Sequence, residues 1–341
     1  MAITIKELSR LCGVSTATVS LVLGGKDHKR VGAKRREQIL ALAEKYGYRH
    51  NPAAKGLAEG CTYRIGLAVE GTLADHAIIG QFSFYDRLGL LAARLRDHDY
   101  SIEIVQVDTC RSLPEICREL GRLSVDGFVF PHWFAGTLAG ILLSLKEKRI
   151  PAVASGTTLH ERGYTWTDVD RAASFTDAVR RLAADGHREI ALLDCTGERH
   201  YFDLKRTAFV AAVREYLGSD ASDWVFLPSR YSSEQAVALT GQALRRMPGV
   251  RAFLLTDNFY ADAVLYALRR AGLRPGQDCR VIGFGDTVLA DRCRPRLSHY
   301  SLQVDAQVEF SVRALFDELR NPDTYRPRQQ LLGPLFISRA T

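Results

Sequence analysis

The chain has 341 residues, with 46 Lys or Arg against 39 Asp or Glu, and seven Cys. That length calls for two or three domains, and the absence of long apolar spans or biased tracts excludes membrane-spanning and low-complexity classes. The charge is uneven. Residues 1–60 hold 11 basic and 5 acidic side chains, +6 of the total +7, whereas the other 281 residues hold 35 and 34. A basic head on a neutral body is the footprint of a polyanion-binding module.

Taken in chain order, Thr4 with Glu7 forms a capping box that opens a first helix with Ile5, Leu8 and Leu11 on its apolar face. Gly13 makes a turn and Ser15 opens a second helix. Val14, Val19 and Val22 supply the packing surface, and Thr16, Ala17 and Ser20 stay outward. A short helix with small polar residues at its start suits a DNA major groove; a three-helix docking domain is the alternative. Lys26, Lys29, Arg30, Lys34, Arg35 and Arg36 follow within reach of phosphates. A third helix is expected over Ala33–Tyr46, with Ile39, Leu40, Leu42, Ala43 and Tyr46 inward and Gly47 as its stop. Asn51 and Pro52 then start a helix of barely two turns containing Gly56, too marginal to stand alone. Such a linker suits folding on contact with a partner. Its Leu57 reads either as a minor-groove wedge or as a contact with the next domain.

Beyond residue 63, apolar runs alternate with amphipathic stretches. Strands are expected at 65–70, 102–108, 127–130, 152–155, 190–194, 252–256 and 281–284. Helices are expected at 85–98, 113–123, 137–148, 171–185, 204–217, 233–247, 260–271 and 304–319. The alternation predicts parallel sheets covered by helices on both faces, running twice with a break near 160–165. Two doubly wound lobes would hold a ligand in the crevice at the strand C-termini. Seven scattered cysteines read as reduced thiols of a cytoplasmic protein rather than a disulfide framework. No metal-ligand spacing, phosphate loop or nucleophile elbow is present, Gly283-Phe284-Gly285 is only a fragment of a dinucleotide motif, and His187 after Gly186 reads as a helix stop. No cofactor, metal or catalytic residue is expected.

The stretches TIKELSRLCGVSTATVSLVLGG and RREQILALAEKYGYRHNPAAKGLAEG resemble the DNA-binding headpiece and hinge of the LacI/GalR family of transcription regulators. The resemblance continues through Tyr63–Leu67, Val125-Asp126-Gly127, Ile150-Pro151, Gly186–Ala191, Val281–Phe284 and Gly333–Arg339, covering essentially the whole chain. It implies an α/β fold: a helix-turn-helix headpiece (1–48), a hinge helix and linker (49–62), and a two-lobed, periplasmic-binding-protein-like body (63–341). The chain should cross between lobes near 160–165, 290–296 and 320–326, giving lobes of roughly 63–160 plus 291–322 and 165–290 plus 323–341. The implied DNA contacts are Thr4, Ser15, Thr16, Ala17, Thr18, Ser20, Leu21, Lys29, Arg30, Asn51, Ala54 and Leu57. Leu21 stands where many relatives carry Arg, and either faces the bases or turns into the core.

The body departs from the family pattern where ligand chemistry is decided. Phe82 and Phe84 lie in a longer first βα loop, as a stacking wall or as helix-packing rings. Lys205 takes the place of an effector-clamping Arg, with Arg206 beside it leaving the register open; lysine loses the planar fork. Asp170 is kept, followed by Arg171. Asp257 stands for a family Asn, and Gly285-Asp286 replaces an Asp pair. With Trp133, Trp166 or Tyr201 as ring cover, Asp257 and Lys205 would suit a sugar or polyol. The expected effector set is Phe82, Phe84, Trp133, Asp170, Tyr201, Lys205, Asp257 and Asp286. The function implied is a homodimeric, operator-binding transcription regulator, a repressor, gated by a small cytoplasmic effector, a sugar or sugar derivative, with a purine, an amino acid, a phosphorylated metabolite or no small ligand as the alternatives, and with no membrane contact. The competing class is a two-lobed α/β enzyme or solute-binding protein with a basic N-terminal module.

Overall fold

The computed structural model describes residues 3–24, 31–48, 56, 60–71, 81–133, 136–159, 163–194, 200–228, 232–286 and 288–341, with no side chains at 81–83 and 200–202. The chain divides into two compact units, Met1–Tyr63 and Arg64–Thr341.

The first unit packs α1 (Ile5–Cys12), α2 (Thr16–Leu23) and α3 (Ala33–Lys45) around Leu8, Cys12, Val19, Val22, Ile39 and Ala43. Thr4 caps α1 through a capping box with Glu7, and Gly13, in the left-handed conformation with φ +63°, ends it. Leu11, Leu40 and Tyr46 are exposed, against their expected inward placement. The Leu8–Cys12 pair, four residues apart, defines the buried stripe of α1, so Leu11 lies to its side. Leu40 is one residue past Ile39 and is turned about 100° off the core face, and Tyr46 lies beyond the last turn of α3 as its C-cap.

The second unit contains two six-stranded sheets. The first has the order β11-β5-β4-β3-β1-β2, from β1 (Arg64–Glu70), β2 (Ser101–Val107), β3 (Gly127–Pro131), β4 (Ala152–Ser155), β5 (Thr165–Val169) and β11 (Gln329–Leu332), all parallel. The second has the order β12-β10-β9-β8-β6-β7, from β6 (Ile190–Leu193), β7 (Val225–Phe226), β8 (Ala252–Leu255), β9 (Arg280–Phe284), β10 (Ser298–Tyr300) and β12 (Phe336–Ile337). It is parallel except for the β10–β12 pair. Helices cover both sheets: α4 (Gln81–Arg96), α5 (Leu113–Leu120), α6 (Leu138–Glu147), α7 (Arg171–Ala184), α8 (His200–Leu217), α9 (Ser233–Arg246), α10 (Ala261–Arg270), the short α11 (Val288–Arg292) and α12 (Val304–Arg320). Because both faces are covered, the central strands β3, β6 and β8 are buried at every residue, which is why their sequences read as continuous apolar runs. No described helix is long and apolar enough to cross a membrane.

The sheets move all three crossings. β5 belongs to the first sheet, so the chain leaves that lobe at Asp170 rather than 160–165. It returns between β10 and α12, at 301–303 rather than 290–296, and leaves again between β11 and β12, at 333–335 rather than 320–326. In each case the strand before the crossing was invisible to periodicity. Thr165–Val169, Ser298–Tyr300 and Gln329–Leu332 are short and rich in polar residues, and each has a strand partner far away in sequence. Thr167 Oγ, for example, donates to Gln330 Oε1 at 3.1 Å.

Candidate DNA-reading face and effector crevice

In the headpiece, helix α2 carries no charged residue and owes its start to Ser15, whose Oγ accepts from Thr18 N–H at 3.1 Å and pairs with Thr18 Oγ1 at 2.9 Å. This fixes both hydroxyls beside the helix N-terminus, where backbone N–H groups attract phosphate. Thr16, Ala17 and Ser20 are exposed, while Val19 and Val22 are buried. Leu21 is half-buried and stands outside the headpiece cluster, four residues from Ala17 on the same side of the helix. Thr4 is exposed, with its N–H and Oγ both donating to Glu7 Oε2 at 2.8 Å. Those donors hold the Glu7 carboxyl below its ordinary range, led by the Thr4 backbone N–H. Arg35 is partly tied inward, donating to the Cys12 carbonyl at 3.5 Å and, at the surface, to Gln38 Oε1 at 3.3 Å. Lys29, Arg30, Asn51, Ala54 and Leu57 lie outside the described residues. Gly56 is described, and its role is steric: a Cβ there would come within 2.3 Å of the Cys61 carbonyl oxygen.

In the body, the C-terminal ends of the two sheets supply the polar groups. On the second lobe, Asp194 follows β6 and pairs with Arg206 at 3.3 Å. Asp257 follows β8, where its Oδ1 accepts from Phe259 N–H at 2.7 Å, and shares a depression with Asp194 and Tyr260. Asn258 is wholly buried and donates to the Gly285 carbonyl; a Cβ at Gly283 would lie 1.8 Å from Asn258 Oδ1, so only glycine fits there. Asp286 follows β9 and pins the second crossing. It accepts from His299 Nε2 (3.2 Å), Ser301 Oγ (2.5 Å) and Gln303 N–H (3.1 Å). Burial pushes its carboxyl up, but the His299 and Ser301 donors outweigh that and hold it below the ordinary carboxylate range. Across the crevice, Asp86 on α4 is raised by burial and by the charge of Asp286. On the first lobe, Asp170 ends β5 and caps α7, its Oδ1 accepting from Ala173 N–H at 2.8 Å. No group of three or more His, Cys, Asp or Glu among the described residues is placed to hold a metal.

The model of bacterial regulatory proteins of the lacI family matches residues 4–51, and that of the periplasmic-binding-protein-like domain matches residues 179–341. The HTH-type transcriptional regulator AglR of Rhizobium meliloti is 30% identical over 292 residues, covering 84% of this chain and 79% of its own. The chain belongs to the LacI family. It is a DNA-binding transcription regulator. Among solved structures, the lac repressor bound to ONPG superposes with a TM-score of 0.79 at 20% identity, over 100% of both chains. The transcriptional regulator CelR in complex with cellobiose gives 0.68 at 21% identity, over 99% of both.

Within this LacI-family body, several expected effector residues are engaged elsewhere. Lys205 is buried, with Nζ donating to the Thr256 carbonyl at 2.7 Å and lying 4.2 Å from the Phe284 ring centroid. Residues 205, 208, 209 and 212 share the sheet-facing side of α8, which draws the ammonium inward. Its neighbour Arg206, about 100° around the helix, is the cation that reaches the end of β6. Trp133 is only 3% exposed, packs edge-on against Phe130 at 5.3 Å, and belongs to the first-lobe core with Trp166. Phe84 is likewise core, so of its two readings the structure takes helix packing. The apolar rings are pulled into lobe interiors by the same burial that makes them recognisable in sequence. The side chains of Phe82 and Tyr201 lie outside the described residues. Asp194 and Arg206 could have been flagged from sequence: an Asp at the end of an apolar strand and an Arg beside the family's clamp position were both visible.

Proposed function

We propose that this chain is a homodimeric repressor that works in the cytoplasm by binding alone, with no catalytic step, and whose operator affinity is set by a carbohydrate held between the two lobes. Residues 1–48 read DNA through Thr16, Ala17, Ser20 and Leu21, with Thr4, Ser15, Thr18, Lys29 and Arg30 at the phosphates. Residues 49–62 form the hinge, with Asn51, Ala54 and Leu57 toward the minor groove. Two-fold symmetry matches paired half-sites. The observation that carries the effector reading is that Asp194 and Asp257 share one depression at the strand ends of the second lobe, with Arg206 paired to Asp194, in a body whose two lobes are joined by three crossings. Carboxylates accept from vicinal hydroxyls, and the topology puts them where doubly wound folds take ligands. The CelR–cellobiose complex, alike in fold, supports the ligand class. Ligand binding favours one lobe geometry, and Asp286, which ties β9 to the second crossing, helps to hold that crossing in place.

The test is a thermal-shift screen of sugars followed by gel-shift with an operator obtained by binding-site selection. A true effector at 100 times its Kd adds about 2.7 kcal/mol to stability and changes operator affinity. Asp257→Ala and Arg206→Ala should each abolish that response while leaving ligand-free operator binding intact. If both keep the parent's dose-response, the crevice is not the effector site.

A further inference from the structure

The crevice end of the first sheet holds a buried cation that DNA binding does not use. Arg87, on α4, is fully buried, in the stripe that Phe84, Leu91 and Leu95 otherwise fill with apolar side chains. Its guanidinium donates to Ser155 Oγ at 2.7 Å and Gln307 Oε1 at 3.2 Å, and lies 3.2 Å from His132 Nε2. Guanidinium nitrogens can only donate, so His132 Nε2 is the acceptor and the ring carries its proton on Nδ1. All three partners are therefore neutral, and Arg87 Nε has no hydrogen-bond partner. The buried pair beside it, Arg171 with Asp168, is already balanced, Asp168 also accepting from Thr158 Oγ1 at 2.9 Å. Arg87 itself has no carboxylate within hydrogen-bond reach among the described residues. Removing a charge from water without a counter-charge costs several kcal/mol, and burial accordingly pulls Arg87 down to about 10.

This cation lies beside the ends of two strands of the first sheet, where doubly wound folds take ligands. His132 and Gly156 are the first residues beyond β3 and β4, and both are left-handed, with φ +46° and +83°. For a non-glycine this costs about 1–3 kcal/mol and recurs at ligand sites. A Cβ on Gly156 would fall within 3.0 Å of both the His132 ring and the Arg87 guanidinium. Arg171 reaches the same point, donating to the Gly156 carbonyl at 3.4 Å. The carboxylates at neighbouring strand ends, Asp170 and Asp286, are committed to protein donors.

We propose that the effector is anionic: a sugar derivative whose carboxylate or phosphate sits at the ends of β3 and β4, neutralised by Arg87 and Arg171. This rests on the crevice being the effector site and adds the charge of its ligand. The test compares matched probes by thermal shift and calorimetry: glucose, galactose and cellobiose against glucuronate, galacturonate and glucose 6-phosphate, with the two acid types distinguishing carboxylate from phosphate. At least one acid should bind tenfold or more tightly than its neutral parent. Arg87→Leu should bring that ratio close to one, and Arg87→Lys should keep part of it. If neutral sugars bind as tightly as their acids, or if Arg87→Leu keeps the parent's selectivity, the charge assignment is overturned while the crevice reading stands. If no probe of either kind binds, the carbohydrate reading itself fails, and this inference with it. Should Arg87→Leu not fold, the parent's acid-to-neutral ratio and Arg87→Lys decide the question.

Discussion

Leu21→Arg tests how this headpiece reads DNA. Leu21 is half-buried, absent from the cluster of Leu8, Cys12, Val19, Val22, Ile39 and Ala43, and shares the exposed side of α2 with Ala17. Neither side chain can donate a hydrogen bond, so together they can read only apolar features such as thymine methyl groups. Replacing a half-buried leucine forfeits about 1 kcal/mol of burial, part of which the arginine stem restores. A bidentate contact to guanine O6 and N7 gains about 1–3 kcal/mol. In a symmetric dimer each change acts twice, so a site carrying guanine at the matching position of both half-sites should gain roughly 2–6 kcal/mol over the parent's site. Parallel binding-site selection on parent and variant, followed by competition gel-shifts at fixed salt, measures this directly. The parent should select A·T at that position and the variant G·C. Identical selected sites, or loss of headpiece helicity in the variant, would refute the outward placement of Leu21.

Salt provides a second check: specific binding should fall with a log–log slope on the order of −5 to −9 for roughly 6–10 phosphates neutralised. Lys29→Ala with Arg30→Ala should flatten that slope without changing base preference, and a parent slope near zero would rule out the electrostatic footprint. Leu57→Ala should lose specific affinity and DNA bending while keeping non-specific binding; a variant that bends the operator like the parent makes Leu57 an interdomain contact. Asp286 gives a pH signature. Its folded pKa lies below the ordinary value, so its stabilisation is present above about pH 4 and is lost as pH falls through the depressed value. Asp286→Asn should cost about 1 kcal/mol at pH 7 and flatten the acid limb of the body's Tm profile below pH 4, and an unchanged acid limb would show that Asp286 does not stabilise the second crossing.

The headpiece was legible because its determinants are local. The Thr4–Glu7 box, the Gly13 turn and the Ser15 cap each act over three or four residues, and the structure forms all three. The buried central strands were legible for a related reason: covered on both faces, they must be apolar throughout. Sequence alone also placed the surplus positive charge in the first 60 residues, since charge is a sum over residues and needs no fold. The tertiary structure decided what depends on distant partners. Gln329–Leu332 becomes a strand only by pairing with Thr165–Val169, which in turn pairs with β4, and this moved the lobe crossings. The burial of Lys205 and the reach of Arg206 differ by one residue on α8, about 100° of helix rotation, which only packing against β8 and β9 resolves. Arg87 shows this most clearly. In sequence it is one arginine among many near a helix start, and only the meeting of α4, β3, β4 and α12 makes it a buried cation. Burial is a property of the assembled neighbourhood, and it sets both the energy and the use of a charge.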